Sequence, residues 1–383
     1  MVVDDLVWQS IEPWMIEIRR GIHRHPELGL ETPRTARLVE TTLDELGIAH
    51  SRPIAHGVRG VLAAERRGPA LLLRADMDAL PIEELNDLPF RSEIQDRMHA
   101  CGHACHTAML LGAARYLKAR EAELRRPVVL MFQPGEEGPG GAVPMIEAGI
   151  LDGVEAGMMV HVDSDLEAGV IGLREGPAMG SCDDFRLTIH GRGGHGSTPH
   201  QGIDAIFVAT AIVQAWQAVV SREQDAFDPL VVTVGTIHGG YRENVIADRV
   251  EMTGTIRAMS PAARKRAVSR VAEVADGVAR THGARVEFVL EAGYPVFMAD
   301  VPWTQSARRI LTEELGPEAV REIPPTLGVE DFAYVAERIP AFCIAVGIAG
   351  PALTTGLHSA GLIVDERGLK AGAAALAAMA LRS

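Results

Sequence analysis

The sequence predicts an α/β fold. A larger domain, built on a mainly parallel central sheet flanked by helices, is interrupted by an inserted ferredoxin-like βαββαβ domain. Three observations carry this expectation. Short continuous apolar runs alternate with helix-period segments through the first 180 residues, as strands buried on both faces of a parallel sheet do. Residues capable of chemistry stand just past those runs, where open α/β sheets place their sites. From about residue 181 the pattern changes to alternating strands separated by two helices.

The elements follow in order. Apolar residues recur at helical spacing over 11–21 and 35–46. Residues 70–75 form a strand ending at Asp76-Met77-Asp78, and 106–124 form a helix. Residues 127–132 make a strand ending at Glu136-Glu137, and 157–160 a strand ending at His161. Residues 183–190 then alternate as a strand, 203–221 form an amphipathic helix, and 230–238 and 249–257 are strands. Ser260-Pro261 starts a helix, with proline at its first position. That helix runs to about His282, and 284–290 form the last strand of the insert. The expected domains are therefore 1–180 with 293–383, carrying the chemistry, and 181–292 between them. Residues 371–381, the longest apolar run, are too short to span a bilayer and are expected to pack as a core helix.

Composition narrows the function. The chain has 383 residues, 47% of them hydrophobic, and a net charge of −14. This suits a soluble enzyme and argues against nucleic-acid or anionic-membrane binding, which need clustered Lys and Arg. Residues 1–14 lack a basic segment followed by an apolar core, so no secretory signal is expected. The expected location is cytoplasmic, with Cys101, Cys105, Cys182 and Cys343 unpaired.

Five residues form a candidate metal set: Cys101, His103, Glu137, His161 and His358. A thiolate, imidazoles and a carboxylate suit zinc, with manganese, cobalt or nickel as alternatives. Glu136, beside Glu137 in a Gly/Pro-flanked loop, is the candidate general base. Asp76 and Asp78 fall on one side of an extended segment, where they could ligate metal or orient a ligand from behind. Gly191-Arg192-Gly193-Gly194-His195-Gly196 does not lead directly into a helix, so it reads as a loop projecting His195 rather than a dinucleotide site. His23-Arg24-His25-Pro26-Glu27 reads as structural. A cysteine nucleophile, Cys101 or Cys105 with His99 or His106, is the rival enzyme reading.

These motifs resemble those of the aminoacylase/carboxypeptidase family of two-metal amidohydrolases, in its hippurate hydrolase and indole-acetyl-amino-acid hydrolase branch. The blocks are Arg74-Ala75-Asp76-Met77-Asp78-Ala79-Leu80-Pro81, Met98-His99-Ala100-Cys101-Gly102-His103, Gln133-Pro134-Gly135-Glu136-Glu137-Gly138, Gly193-Gly194-His195-Gly196 with Pro199-His200, Asn244-Val245-Ile246, Gly254-Thr255-Ile256-Arg257, Glu330-Asp331-Phe332 and Leu357-His358. The resemblance covers nearly the whole chain. It implies that the insert is a lid that also dimerises, and that the five ligands hold two divalent metal ions with Glu136 as base. It further implies that His195 polarises the scissile carbonyl, and that Asn244 and Arg257 bind the substrate's carboxylate. N-acyl amino acids are the implied substrates, with short peptides as the alternative. One position departs from the pattern: the family reads C-G-H-D-x-H, whereas this chain has Cys101-Gly102-His103-Ala104-Cys105-His106. The missing carboxylate is expected to alter metal affinity, by about 10–100-fold for a lost supporting partner. It also leaves open a metal-binding protein of low activity.

Overall fold

The computed structural model describes residues 5–352 and 355–383. The chain divides into two compact units. The first takes residues up to Gly176, then 298–324 and 334–383; the second takes 177–297 and 325–333.

The first unit carries an eight-stranded sheet. Its centre is four parallel strands, in the lateral order Val128–Gln133, Ala70–Asp76, Val154–Glu167, Ala341–Ala349. Every residue of Ala70–Asp76 and Val128–Gln133 is buried, which is why the sequence shows unbroken runs there instead of alternation. From Ala70–Asp76 the chain passes through the helix His103–Ala119 to the neighbouring strand Val128–Gln133. It then crosses back to Val154–Glu167, on the opposite side of Ala70–Asp76. This reversal leaves a crevice beyond the carboxyl ends of those strands. The helix His103–Ala119 lies against the sheet and against the helices Asp5–His23 and Arg367–Arg382.

Two boundaries differ from the sequence expectation in ways that matter. The helix begins at His103 and not at residue 106, because Gly102 adopts φ +87 and its carbonyl accepts from the amides of Cys105 and His106. A side chain at Gly102 would also meet Val162 Cγ2 at 2.4 Å. The strand expected to end at His161 continues to Glu167, because its pairing with Ala341–Ala349 runs on past the apolar residues. His161 is therefore inside a strand, opposite Ala345, and not at a strand end.

In the second unit the four strands of one sheet and two helices follow in the order β-α-β-β-α-β, and the short strands Gly194–His195 and Val245–Ile246 pair apart from that sheet. Its antiparallel sheet runs Leu230–Gly239, Arg249–Ala258, Ser181–His190, Arg285–Ala292. The helix Ala205–Ala218 is capped by Asp204, whose carboxylate accepts from the amides of Ile206 and Phe207. Pro261–Thr281 is capped by Ser260, with Pro261 at the position that needs no donor. Phe185, Leu187 and Ile189 bury one sheet face against these helices. Residues 325–333, placed by the sequence in the larger domain, belong here. The Gly180 amide meets the carbonyls of Thr326 and Gly328, and Arg257 Nη1 donates to Leu327 O at 2.9 Å, which ties that segment to the sheet.

Trp216 joins the two helices of this unit to its sheet. It is fully buried, donates to Val271 O at 2.8 Å and meets Phe185 edge-on with ring centres 5.2 Å apart. Trp216→Ala should destabilise the protein by about 3–5 kcal/mol, read as a lower urea midpoint; a midpoint within error of wild type would refute this packing role.

Candidate metal centre

All of the candidate metal ligands lie in the first unit. Asp76 closes the strand Ala70–Asp76 and Asp78 follows it; Glu136 and Glu137 stand in the loop after Val128–Gln133. His103 opens its helix with Cys101 two residues before it, and His358 lies in the loop between Ala341–Ala349 and Arg367–Arg382.

The ligand atoms converge. Cys101 Sγ lies 3.6 Å from His161 Nε2 and 3.2 Å from His358 Nε2. Glu137 Oε1 is 3.2 Å from His358 Nε2 and 3.8 Å from His103 Nε2. The donor atoms of Cys101, His103 and His161 are all within 4.8 Å of one another, and so are those of Cys101, Glu137 and His358. Two clusters thus share the thiol. Both ring nitrogens of His103 and Oε1 of Glu137 are buried without a hydrogen bond. Buried polar atoms are nearly always satisfied, so the donor set fits a metal cation.

Each ligand is aimed by a backbone or carboxylate partner. His161 Nδ1 donates to Val162 O at 2.8 Å, which turns Nε2 towards Cys101. The Asp78 carboxylate accepts from the amides of Glu136 at 3.0 Å and Glu137 at 3.1 Å, so one side chain sets both glutamates. Asp78 Oδ1 is also 3.4 Å from His103 Nδ1. The loop closes tightly: a Cβ on Gly141 would stand 1.7 Å from Pro134 O. His358 has φ +61, a backbone state uncommon outside glycine. Its amide donates to Ala100 O at 2.8 Å, clamping it beside Cys101.

Asp76 has a different task. Its Oδ1 accepts from His106 Nδ1 at 2.6 Å and its Oδ2 from Arg74 Nη1 at 2.7 Å; Arg74 Nε also donates to Gln133 at 3.0 Å. His106 Nε2 accepts the Val162 amide at 2.8 Å, so both its nitrogens are occupied and it is not available to metal. Burial pushes its pKa down to about 3 despite Asp76, and the ring is neutral. Burial alone would raise the Asp76 pKa, but His103, His106 and Arg74 hold it well below the usual carboxylate range. For His103, burial opposes charge, yet Asp76, Asp78 and Glu137 outweigh it and push its pKa up to about 10. A bound cation would take the place of that proton.

The pairs of the cysteine-nucleophile reading are not formed: His106 is engaged by Asp76 and the Val162 amide, and neither nitrogen of His99 meets a partner among the described residues. Burial, reinforced by Glu137 and Glu136, raises the Cys101 thiol well above its ordinary value, and burial also raises Cys105. A catalytic thiol needs the opposite shift. The histidine-rich segment is structural as expected: His23 pairs with Glu84 at 3.1 Å, and Glu27 caps the helix Pro33–Glu45 through the amides of Arg34 and Thr35. The sequence reading quoted Arg74 and Gln133 within motif blocks but gave them no role, and it considered His106 only as a partner for a cysteine. The available signal was an arginine inside the apolar run Leu71-Leu72-Leu73-Arg74-Ala75, since unpaired buried arginines are nearly unknown.

The remaining site residues lie in the second unit. His195 is exposed and its Nδ1 accepts from Ser197 N at 3.1 Å, which leaves the ring hydrogen on Nε2. Asn244 O accepts from Gly196 N at 2.8 Å, in a short ribbon where Val245 pairs with His195. This ribbon lies past the Arg249 end of the strand Arg249–Ala258, whereas Arg257 is near the other end. Eight residues of strand span about 27 Å. Within one chain, Asn244 and Arg257 thus stand towards opposite ends of that strand.

The sequence profile of Peptidase family M20/M25/M40 matches residues 72–382. A thermostable carboxypeptidase of Saccharolobus solfataricus is 38% identical over 98% of this chain and 96% of its own length. An IAA-amino acid hydrolase of Arabidopsis thaliana is 39% identical over 96% of this chain and 85% of its own. Among solved structures, a Bacillus subtilis protein described as a dinuclear metal-binding peptidase of the M20 family matches with a TM-score of 0.87. It is 34% identical, over 97% of this chain and 98% of its own.

Arg74 offers a direct test of the buried support. Arg74→Met removes the one arginine that pairs with the fully buried Asp76, leaving it only His103 and His106. It should cost about 3–5 kcal/mol, measured by urea unfolding of metal-free protein. A loss below about 1 kcal/mol, the range of exposed pairs, would show that Asp76 does not depend on it.

Proposed function

The chain belongs to peptidase family M20/M25/M40 and is a hydrolytic enzyme, and from that premise we propose that it hydrolyses the amide bond of N-acyl-L-amino acids. Two divalent ions would be held by Cys101, His103, Glu137, His161 and His358, with zinc best suited to a thiolate-imidazole set and manganese, cobalt or nickel as alternatives. The observation that carries this reading is the pair of ligand clusters sharing Cys101, with Glu136 held beside them by Asp78. The dinuclear relative supports two ions. A bound divalent ion supplies Lewis acidity, making water acidic and a carbonyl electrophilic.

The protein's own groups do the rest. Glu136 takes the proton of the attacking water and delivers it to the leaving nitrogen. His195, with hydrogen on Nε2, donates to the developing oxyanion. Arg257 offers a guanidinium to the carboxylate of the released amino acid. We read the second unit as a ferredoxin-like lid that pairs two copies of the chain, each lending its ribbon to the other's site. The separation of Arg257 from His195 and Asn244 supports this, since one chain's lid cannot apply both ends to one small substrate. A cytoplasmic location remains part of the proposal. The carboxypeptidase relative favours a second reading, cleavage of short peptides by the same chemistry.

The test is amino-acid release from a panel of acyl-amino acids and dipeptides, with metal content measured alongside. Exhaustive chelation should abolish turnover and added zinc, manganese or cobalt restore it. Glu136→Gln should lower kcat by at least about 10²-fold with metal content unchanged. Full turnover by metal-free protein, or near-normal turnover by the variant, would sink the mechanism.

Substrate reading is checked separately. Arg257→Ala should reduce kcat/KM for an acyl-amino acid by about 10-fold or more, as expected when a charge-assisted hydrogen bond worth about 1.5–3 kcal/mol is lost, and spare the uncharged amide analogue. Equal losses on both substrates would remove Arg257 from carboxylate recognition.

A further inference from the structure

Residues 81–97 of the first unit contain no helix or strand, and Glu84 alone among them is buried, at 1% exposure. An irregular stretch of that length is uncommon inside a compact unit, and a carboxylate is rarely buried without partners. Glu84 has several. His23 Nε2 lies 3.2 and 3.1 Å from its two oxygens, the Ser92 amide donates to it at 2.7 Å and Asn86 Nδ2 at 3.3 Å. His23 ends the helix Asp5–His23 and is itself buried, so the loop is pinned to the body of the unit. A second pin is the Glu93 amide, which donates to Arg24 O at 2.8 Å.

The same loop reaches the segment that bears His358. The Leu85 amide donates to Ala360 O at 3.0 Å, and Asn86 Nδ2 donates to Leu362 O at 3.0 Å. Both neighbours of the Asn86 nitrogen, a carboxylate and a carbonyl, can only accept, so its two hydrogens are both committed. His358 needs such support more than the other four ligands. Cys101 and His103 stand at the start of a helix, His161 lies within a strand, and Glu137 is set by Asp78. His358 lies in the irregular stretch between Ala341–Ala349 and Arg367–Arg382, at φ +61, with its side chain 55% exposed. Packing does not hold a half-exposed ring, and an uncommon backbone state persists only where its surroundings over-determine it. Ala100 holds the His358 amide, while Leu85 and Asn86 hold the chain just after it.

Resting on the two-ion reading above, we propose that Asn86 is a positioning residue for His358. Carried by Glu84, it fixes the segment 358–362 and so sets the affinity of the ion held by Cys101, Glu137 and His358, apart from the ion held by Cys101, His103 and His161. Its effect passes through Leu362 and the His358 backbone, and therefore belongs to one cluster. Partners that orient a metal ligand commonly change affinity by about 10–100-fold.

The probe is zinc, offered to metal-free full-length protein at free concentrations set by a competing chelator, with bound zinc per chain read by elemental analysis. Wild type should take up two ions. Asn86→Leu keeps the size of the side chain and removes its donors; it should bind one ion as wild type does and the other about 10-fold or more weakly. His358→Ala should weaken the same ion. In that background Asn86→Leu should change zinc binding no further, because two residues acting through one path are not additive. Unchanged binding by Asn86→Leu, equal weakening of both ions, or a further loss in the His358→Ala background, which a general structural role would give, overturns the proposal. Should Asn86→Leu not fold, Asn86→Asp also removes both donors and is judged by the same outcomes. Wild type that fails to take up two ions would overturn the two-ion reading and this inference with it. Two ions in wild type with no effect of Asn86 would overturn this inference alone.

Discussion

The site rests on one buried chain of hydrogen bonds, from Gln133 through Arg74 and Asp76 to His106 and the amide of Val162. It joins three adjacent parallel strands and the first turn of the helix His103–Ala119. Replacing a buried ion pair by apolar residues is often neutral for stability, whereas leaving one partner alone costs about 3–5 kcal/mol. The pair is therefore better understood as fixing geometry than as a source of stability. It sets where the helix begins relative to the sheet, and so where His103 points.

Val162 shows how economically this is done. Its amide donates to His106, its carbonyl accepts from His161, and its side chain fills the space that only a glycine at 102 leaves open. Four histidines near the centre thereby receive different tasks from different partners. His106 is locked neutral between Asp76 and a backbone amide. His161 is oriented by a carbonyl. His103 faces the carboxylates of Asp76 and Asp78, and His358 is held in a left-handed backbone by Ala100. Residue type alone does not distinguish these roles.

The same holds for the carboxylates. Asp78 binds two successive backbone amides and thereby fixes the adjacent glutamates, so that Glu137 faces His103 and His358 while Glu136 remains beside them. Asp76, two residues away on the same face, serves the histidine and arginine instead. An alternating strand presents both side chains to one side, but which neighbour each meets depends on what the next strands bring.

The sequence by itself determined the mixed α/β class with its mainly parallel central sheet, and it pointed to thiol, imidazole and carboxylate side chains that the fold brings together. Buried parallel strands leave unbroken apolar runs, turns need glycine and proline, and metal chemistry needs thiol, imidazole and carboxylate; each of these is written locally. The sequence did not reveal that the strand bearing His161 runs on to Glu167, because that pairing depends on Ala341–Ala349, some 180 residues away. It did not show that residues 325–333 join the second unit, since they are held there by partners from distant segments: the amide of Gly180, the guanidinium of Arg257 and the ring of Phe297. Nor could it separate Asn244 from Arg257: nearness in sequence hid a whole strand length between them. Periodicity reports which face is buried, whereas hydrogen-bond partners from distant segments decide which polar side chain meets which, and only the tertiary structure supplies them.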